Sequence, residues 1–193
     1  MSRGETIVRW MRERYGARFV ALAAVVGCVD AVSADRWDAS SLTRSVAVAW
    51  LVILALRVWD DLADRDVDAQ RHPERVSVIG DRVALEGLAV FAALAASGLL
   101  AIGPQPLMRF LIGAALATAL LFWYALRPPR RLLVADALVL MAKYPVIALI
   151  SASSLQTMQS LVRELPLLVG LYLLLLLYEV VGSVEADPSL RSG

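Results

Sequence analysis

Very few residues of the kinds that usually carry soluble metal or redox chemistry are present. The 193 residues include one cysteine, Cys28, and one histidine, His72. A lone cysteine excludes an internal disulfide and a thiolate cluster, and a lone histidine excludes multi-histidine sites of the zinc type. Lysine is almost missing too: Lys143 is the one lysine among 19 basic residues, a preference for arginine from which no function follows. The net charge of +1 gives no bulk attraction for nucleic acid. Polar sequence is scarce as well. The chain is 59% hydrophobic with a mean hydropathy of +0.66, more apolar than a soluble domain of this size. The expected fold class is therefore all-α, a polytopic transmembrane helical bundle embedded in the lipid bilayer.

Taken in order, residues 1–18 carry Arg3, Arg9, Arg12, Arg14 and Arg18 among Ile7, Val8, Trp10, Met11 and Tyr15, and read as a basic interfacial segment lying on the membrane. The bundle itself is expected over 19–181, with spans at 19–32, 43–59, 82–102, 107–126, 132–151 and 165–181, and a polar tail at 182–193. Val25-Val-Gly-Cys28 also resembles a lipoprotein cleavage site, and Val32-Ser-Ala34 could end a signal peptide. Either would delete a helix from a chain that otherwise reads as six spans, so 19–32 is kept as the first. Gly103-Pro-Gln-Pro106 closes a tight turn, and 151–161 is a polar connection. With the N-terminus cytoplasmic, fourteen arginines fall in inside segments and four (Arg36, Arg44, Arg109 and Arg163) outside.

The richest stretch runs from Arg57 to Gly80, directly after an apolar run. Asp60, Asp64 and Asp68 are four residues apart and stack on one helical face, with Asp61 beside them. Carboxylates so arranged repel unless a cation sits among them. Mg²⁺ takes oxygen ligands and bridges carboxylates to a bound phosphate, and Arg71 and Arg75 follow closely enough to grip the same anion. The plainer alternative is a solvated charged face in which Arg57, Arg65 and Arg71 pair with the aspartates.

This stretch resembles the first aspartate-rich motif of the UbiA superfamily of intramembrane prenyltransferases, Asn/Asp-Asp-x-x-Asp-x-x-x-Asp followed by Arg-Pro-x-x-x-Gly. Asp60, Asp61, Asp64 and Asp68 fill the acidic positions, Arg75 the arginine and Gly80 the glycine, while Val76 replaces the proline. Tyr124 and Arg127 match loosely the Tyr and Lys/Arg that the family carries at the end of the fourth span. The second acidic motif falls on Glu179, Glu185 and Asp187, whose spacing is not Asp-x-x-x-Asp. The chain matches the first two-thirds of the family fold, so a fragment, a shortened member and a relative without catalysis are all open.

The resemblance implies a Mg²⁺-dependent prenyltransferase that ionises an isoprenoid diphosphate and passes the prenyl group to a lipophilic, aromatic-type acceptor. Asp60, Asp64, Asp68 and Tyr124 would be catalytic. Arg71, Arg75, Arg127 and Lys143 would bind the diphosphate. Asp60, Asp61, Asp64, Asp68, Glu179, Glu185 and Asp187 would ligate metal. Lys143, deep in a span, needs a polar cavity or a partner, either Asp136, Asp30 or the diphosphate. The cavity is expected to be lined by the second to sixth spans, in the cell membrane, with the active face cytoplasmic. Alternatives are an intramembrane terpene cyclase, or a non-catalytic relative acting as a membrane binding partner. A homo-oligomer or helper subunit would fit a chain that is short for the family.

Overall fold

The computed structural model describes residues 1–33, 38–126, 133–152 and 158–186, with side chains at 18, 30–33, 133–136, 158–161, 180 and 182–186 left undescribed. Every element among the described residues is an α-helix: α1 (Arg3–Arg14), α2 (Ala17–Ser33), α3 (Ala39–Ala63), α4 (Arg65–Arg71), α5 (Val76–Ile79), α6 (Arg82–Ala101), α7 (Pro106–Leu126), α8 (Leu133–Ser151) and α9 (Met158–Ala186). The expectation of an all-helical fold holds. Of the six expected spans, α3, α6 and α7 are long and apolar enough to cross a membrane. The apolar runs Phe19–Val29 in α2 and Ala137–Ser151 in α8 are shorter.

α3 is the centre of the bundle, packed against α2, α6 and α8. Its side chains are apolar on nearly every face, as a helix surrounded by others requires. Val48, Ala49, Ile53, Leu54 and Val58 are almost wholly buried, and with Ala23, Val26, Ala92, Ala96, Ile147 and Leu171 they belong to the core. Asp38 caps the N-terminus, its carboxylate accepting from the Ser40 and Ser41 backbone N–H groups at 3.2 and 3.0 Å. α2 and α3 run antiparallel and approach closely at Gly27. A Cβ there would lie 2.6 Å from the Val46 Cα, so only hydrogen fits. α7 is peripheral, and Leu111, Phe122 and Leu126 are more than half exposed, as are Phe91 and Leu94 on α6 and Leu174 on α9. Large apolar side chains exposed on three helices suit lipid.

Two boundaries differ from the sequence reading. The last helix begins at Met158, with Pro166 inside it, and continues to Ala186, so part of the expected polar connection and tail is helical. Local polarity ends a span without ending a helix, because backbone bonds continue beyond the apolar run. At the other end, residues 3–14 are helical and one face of that helix is packed on protein. A capping box, Ser2 with Glu5, starts α1, and Thr6 and Trp10 are fully buried where α1 meets α5 and α6.

Candidate functional site

The aspartate row is split between two helices yet keeps its step. α3 ends at Ala63 and α4 begins at Arg65, but the Asp64 N–H donates to the Asp60 carbonyl at 3.0 Å and the Asp68 N–H to the Asp64 carbonyl at 2.8 Å. These four-residue bonds carry the helical register across the junction, so Asp60, Asp64 and Asp68 remain one turn apart. Asp61 is rotated away from them toward α1.

Each acid then meets different company. The Lys143 ammonium, from α8, lies 2.5 Å from Asp60 Oδ2, and the Tyr124 hydroxyl, from α7, donates to Asp60 Oδ1. The site thus joins three helices through one carboxylate. Lys143 is 6% exposed and Asp60 13%, so the pair is largely withdrawn from water. Asp61 accepts from Trp10 Nε1 at 2.9 Å and from Arg14 through Nε at 3.1 Å and Nη2 at 2.7 Å, with Arg57 Nη2 at 3.4 Å. The bonds to Asp61 raise the Arg14 guanidinium above its ordinary value. Asp68 accepts from Arg75 Nη1 at 2.7 Å and is buried. Asp64 is half-buried at the junction, and Arg71 is exposed. Arg65 binds the carbonyls of Val78 and Gly80, which holds α5 against α4. Gly80 is needed because a Cβ would lie 2.6 Å from the Val76 carbonyl oxygen and 2.8 Å from the Thr6 methyl of α1.

Asp60 and Lys143 form part of the wall of a cleft of about 720 Å³ between α2, α3, α8 and α9. Arg57 and Glu179 supply its other charges, while Phe19, Leu22, Val25, Leu140, Met141 and Leu175 make it apolar elsewhere. The sequence reading lined the cavity with the second to sixth spans; the second, fifth and sixth do line this cleft, with α2, the first, in place of the third and fourth. A second hollow of about 530 Å³, almost wholly apolar, lies on the other side of α3 against α6 and α7. Trp59 lines this second hollow and sits 6.1 Å from the Tyr124 ring, centroid to centroid.

Of the residues expected to act together, the structure brings Asp60, Tyr124, Lys143 and Glu179 to one region, and Asp68 to Arg75. It does not gather the expected metal cluster: among the described residues, no three Asp, Glu, His or Cys side chains converge. Asp61 is held by Arg14, Trp10 and Arg57, Asp68 by Arg75, and Asp60 by Lys143 and Tyr124. A divalent cation at the row would displace one of these partners, and Mg²⁺ is commonly held by one or two carboxylates with phosphate and water completing the shell. Arg127 and Asp187 lie outside the described residues, as does the side chain of Glu185. Sequence reasoning missed Trp10 and Arg14. The one available signal was Ser2-x-x-Glu5, which marks a real helix start without saying where the helix docks. Comparison with family models, curated proteins and solved structures finds no match to this chain.

Proposed function

We propose that the chain is a membrane-embedded, Mg²⁺-dependent prenyltransferase that binds an isoprenoid diphosphate in the cleft beside α3 and transfers its prenyl group to a lipophilic acceptor. The observation that carries this reading is the Asp60–Lys143 pair in the wall of a cleft whose only other charged lining, among the described residues, is Arg57 and Glu179, with the Tyr124 hydroxyl bound to the same carboxylate. An amphiphile with a highly charged anionic head and a hydrocarbon tail matches that division of surfaces.

In this reading Lys143 and Arg57 hold the diphosphate oxygens. The Tyr124 hydroxyl fixes the Asp60 carboxylate, and the apolar walls keep water from the allylic carbon. Mg²⁺, bound through Asp60 and Asp64, would supply charge neutralisation as the diphosphate leaves. The allylic C–O bond breaks with its electron pair going to the diphosphate. An acceptor carbon or oxygen then donates a pair to the cation and loses a proton. The cytoplasmic face of the cell membrane is the corresponding location.

The test is diphosphate release by the purified protein with Mg²⁺ and geranyl, farnesyl or geranylgeranyl diphosphate, with and without an aromatic acceptor. Release that Asp60→Asn lowers by about a hundredfold supports the reading, and no release from any of the three removes it. A hydrocarbon product formed without acceptor would identify a cyclase. The second reading, a non-catalytic binder of the same lipid, is favoured by Asp61 and Asp68 being neutralised by the chain's own arginines. It predicts binding of prenyl diphosphate without turnover.

A further inference from the structure

The second hollow, of about 530 Å³ between α3, α6 and α7, takes no part in the charged site. Arg109 is the one charged group among its described lining residues. That arginine is 3% exposed and donates to the Ala152 carbonyl just beyond α8, and it closes the end of the hollow beside the 103–105 turn. Trp59 stands at the opposite end, since α3 and α7 run antiparallel to α6. Along α6 the lining runs from Ala89 to Leu100, about 16 Å at 1.5 Å per residue. One leaflet of a bilayer has a hydrocarbon depth of about 15 Å. The floor is sealed, with Leu56, Ala96, Leu100 and Ile150 buried. The outer side is open. Val90 and Phe110, facing each other across the gap between α6 and α7, are both exposed, as are Ala93 and Ala114. The mouth therefore opens sideways onto the surface that carries Phe91, Leu94 and Leu111. Walls so poor in polar groups do not hold ordered water. Left empty, they would forfeit packing contacts along their whole length. What remains to fill the hollow is hydrocarbon.

We propose that this hollow is a binding site for one acyl chain of a phospholipid, drawn from the leaflet at the 103–105 turn. The chain enters sideways between α6 and α7 and ends against Trp59. Its length matches the hollow, and it carries no charge or hydrogen-bonding group that the walls would have to satisfy. Bound there, it completes the packing of α3 on the side away from the charged cleft. Trp59 lies 6.1 Å from the Tyr124 ring, centroid to centroid, so the chain end backs the aromatic pair that leads to Asp60. The site is independent of what the charged cleft binds, and either can fail without the other.

The test uses the full chain in lipid nanodiscs containing phosphatidylcholine whose palmitoyl-length chain ends in a photoactivatable diazirine. After irradiation, peptide mass spectrometry is expected to find label on Leu56, Trp59 or Ala96, which lipid surrounding the bundle reaches only through the hollow. Label confined to the outward Phe91, Leu94 and Leu111 overturns the inference. Ala93→Phe and Ala117→Phe put a ring into the hollow and should each lower the interior label by about tenfold. Leu94→Ala, on the outer face of α6, should leave it unchanged. Interior label that survives both filling variants, or that falls equally in Leu94→Ala, overturns the inference. If a filling variant does not fold, the label positions in the unaltered protein decide. Displacement of the interior label by farnesol, but not by unlabelled phosphatidylcholine, would assign the hollow to an isoprenoid and overturn the acyl-chain site.

Discussion

Asp60 and Asp61 are adjacent in sequence and opposite in circumstance. Asp60 faces α7 and α8 and meets Tyr124 and Lys143, whereas Asp61 faces α1 and is tied to Trp10 and Arg14. Removing one member of a buried, hydrogen-bonded ion pair leaves the other charge uncompensated, at a cost of about 3–5 kcal/mol. Asp60→Asn and Lys143→Met should each destabilise the protein on that scale, and the double variant should lose less than the sum, by about 1–3 kcal/mol. Denaturant unfolding in detergent micelles checks this; strict additivity would mean that the pair is not coupled. Asp61→Asn is expected to act differently. It should expose residues 1–16 to protease while leaving binding of farnesyl diphosphate in the cleft intact. The four-residue step of the row was legible because helical period is a local property. Which cation each acid meets was not, since Arg14 lies 47 positions before Asp61 and Lys143 lies 83 after Asp60.

The helices themselves were read with good accuracy wherever an apolar run ended in a breaker. The expected span at 82–102 became α6 (Arg82–Ala101), and 107–126 became α7 (Pro106–Leu126). The reading fell short where a helix continued through polar sequence, at 158–164, and did not foresee that one face of the basic amphipathic segment packs on α5 and α6. Neither outcome is encoded locally. The element contacts also make Gly27 and Gly98 unequal. A methyl at Gly27 would strike the backbone of α3, whereas at Gly98 it meets nothing within 4 Å. Gly27→Ala should therefore destabilise by about 1–3 kcal/mol through forced separation of α2 and α3. Gly98→Ala should be neutral or stabilising by up to about 1 kcal/mol. Helix capping adds a pH dependence. The Ala84 N–H holds the Asp81 carboxyl below its ordinary 3.8, the Ser40 hydroxyl does the same for Asp38, and the Ser2 N–H lowers Glu5 from 4.5. A carboxyl depressed by folding adds stability that is present above its ordinary value and disappears as pH falls through its lowered one. Helicity should stay level from neutral pH down to that ordinary range and decline below it. A decline that began above pH 5, as followed by circular dichroism, would assign the acid transition to other groups.

At the scale of the whole molecule, packing and charge point the same way. The helices that enclose α3 put their apolar side chains outward, and the acidic row lies at the end of α3 that receives α1 with its arginines. α6 spans from that end to the opposite one, roughly 30 Å at 1.5 Å per residue. Glu74, before α6, and Ile102, after it, are 73% exposed at the two ends. In the proposed orientation, which follows the arginine bias, the Glu74 end faces the cytoplasm. With Cys28→Ser as background, Ile102→Cys should react with a membrane-impermeant maleimide on intact cells. Glu74→Cys should react only after the cells are opened. Reversal of that pattern would place the acidic row outside, where it could not draw on cytoplasmic prenyl diphosphate. Labelling of both positions on intact cells would mean that α6 does not cross the bilayer, and the cleft would then open onto water instead of lipid. Orientation therefore decides the substrate as well as the topology: a charged row can take a cytoplasmic diphosphate only from the side on which that diphosphate is made.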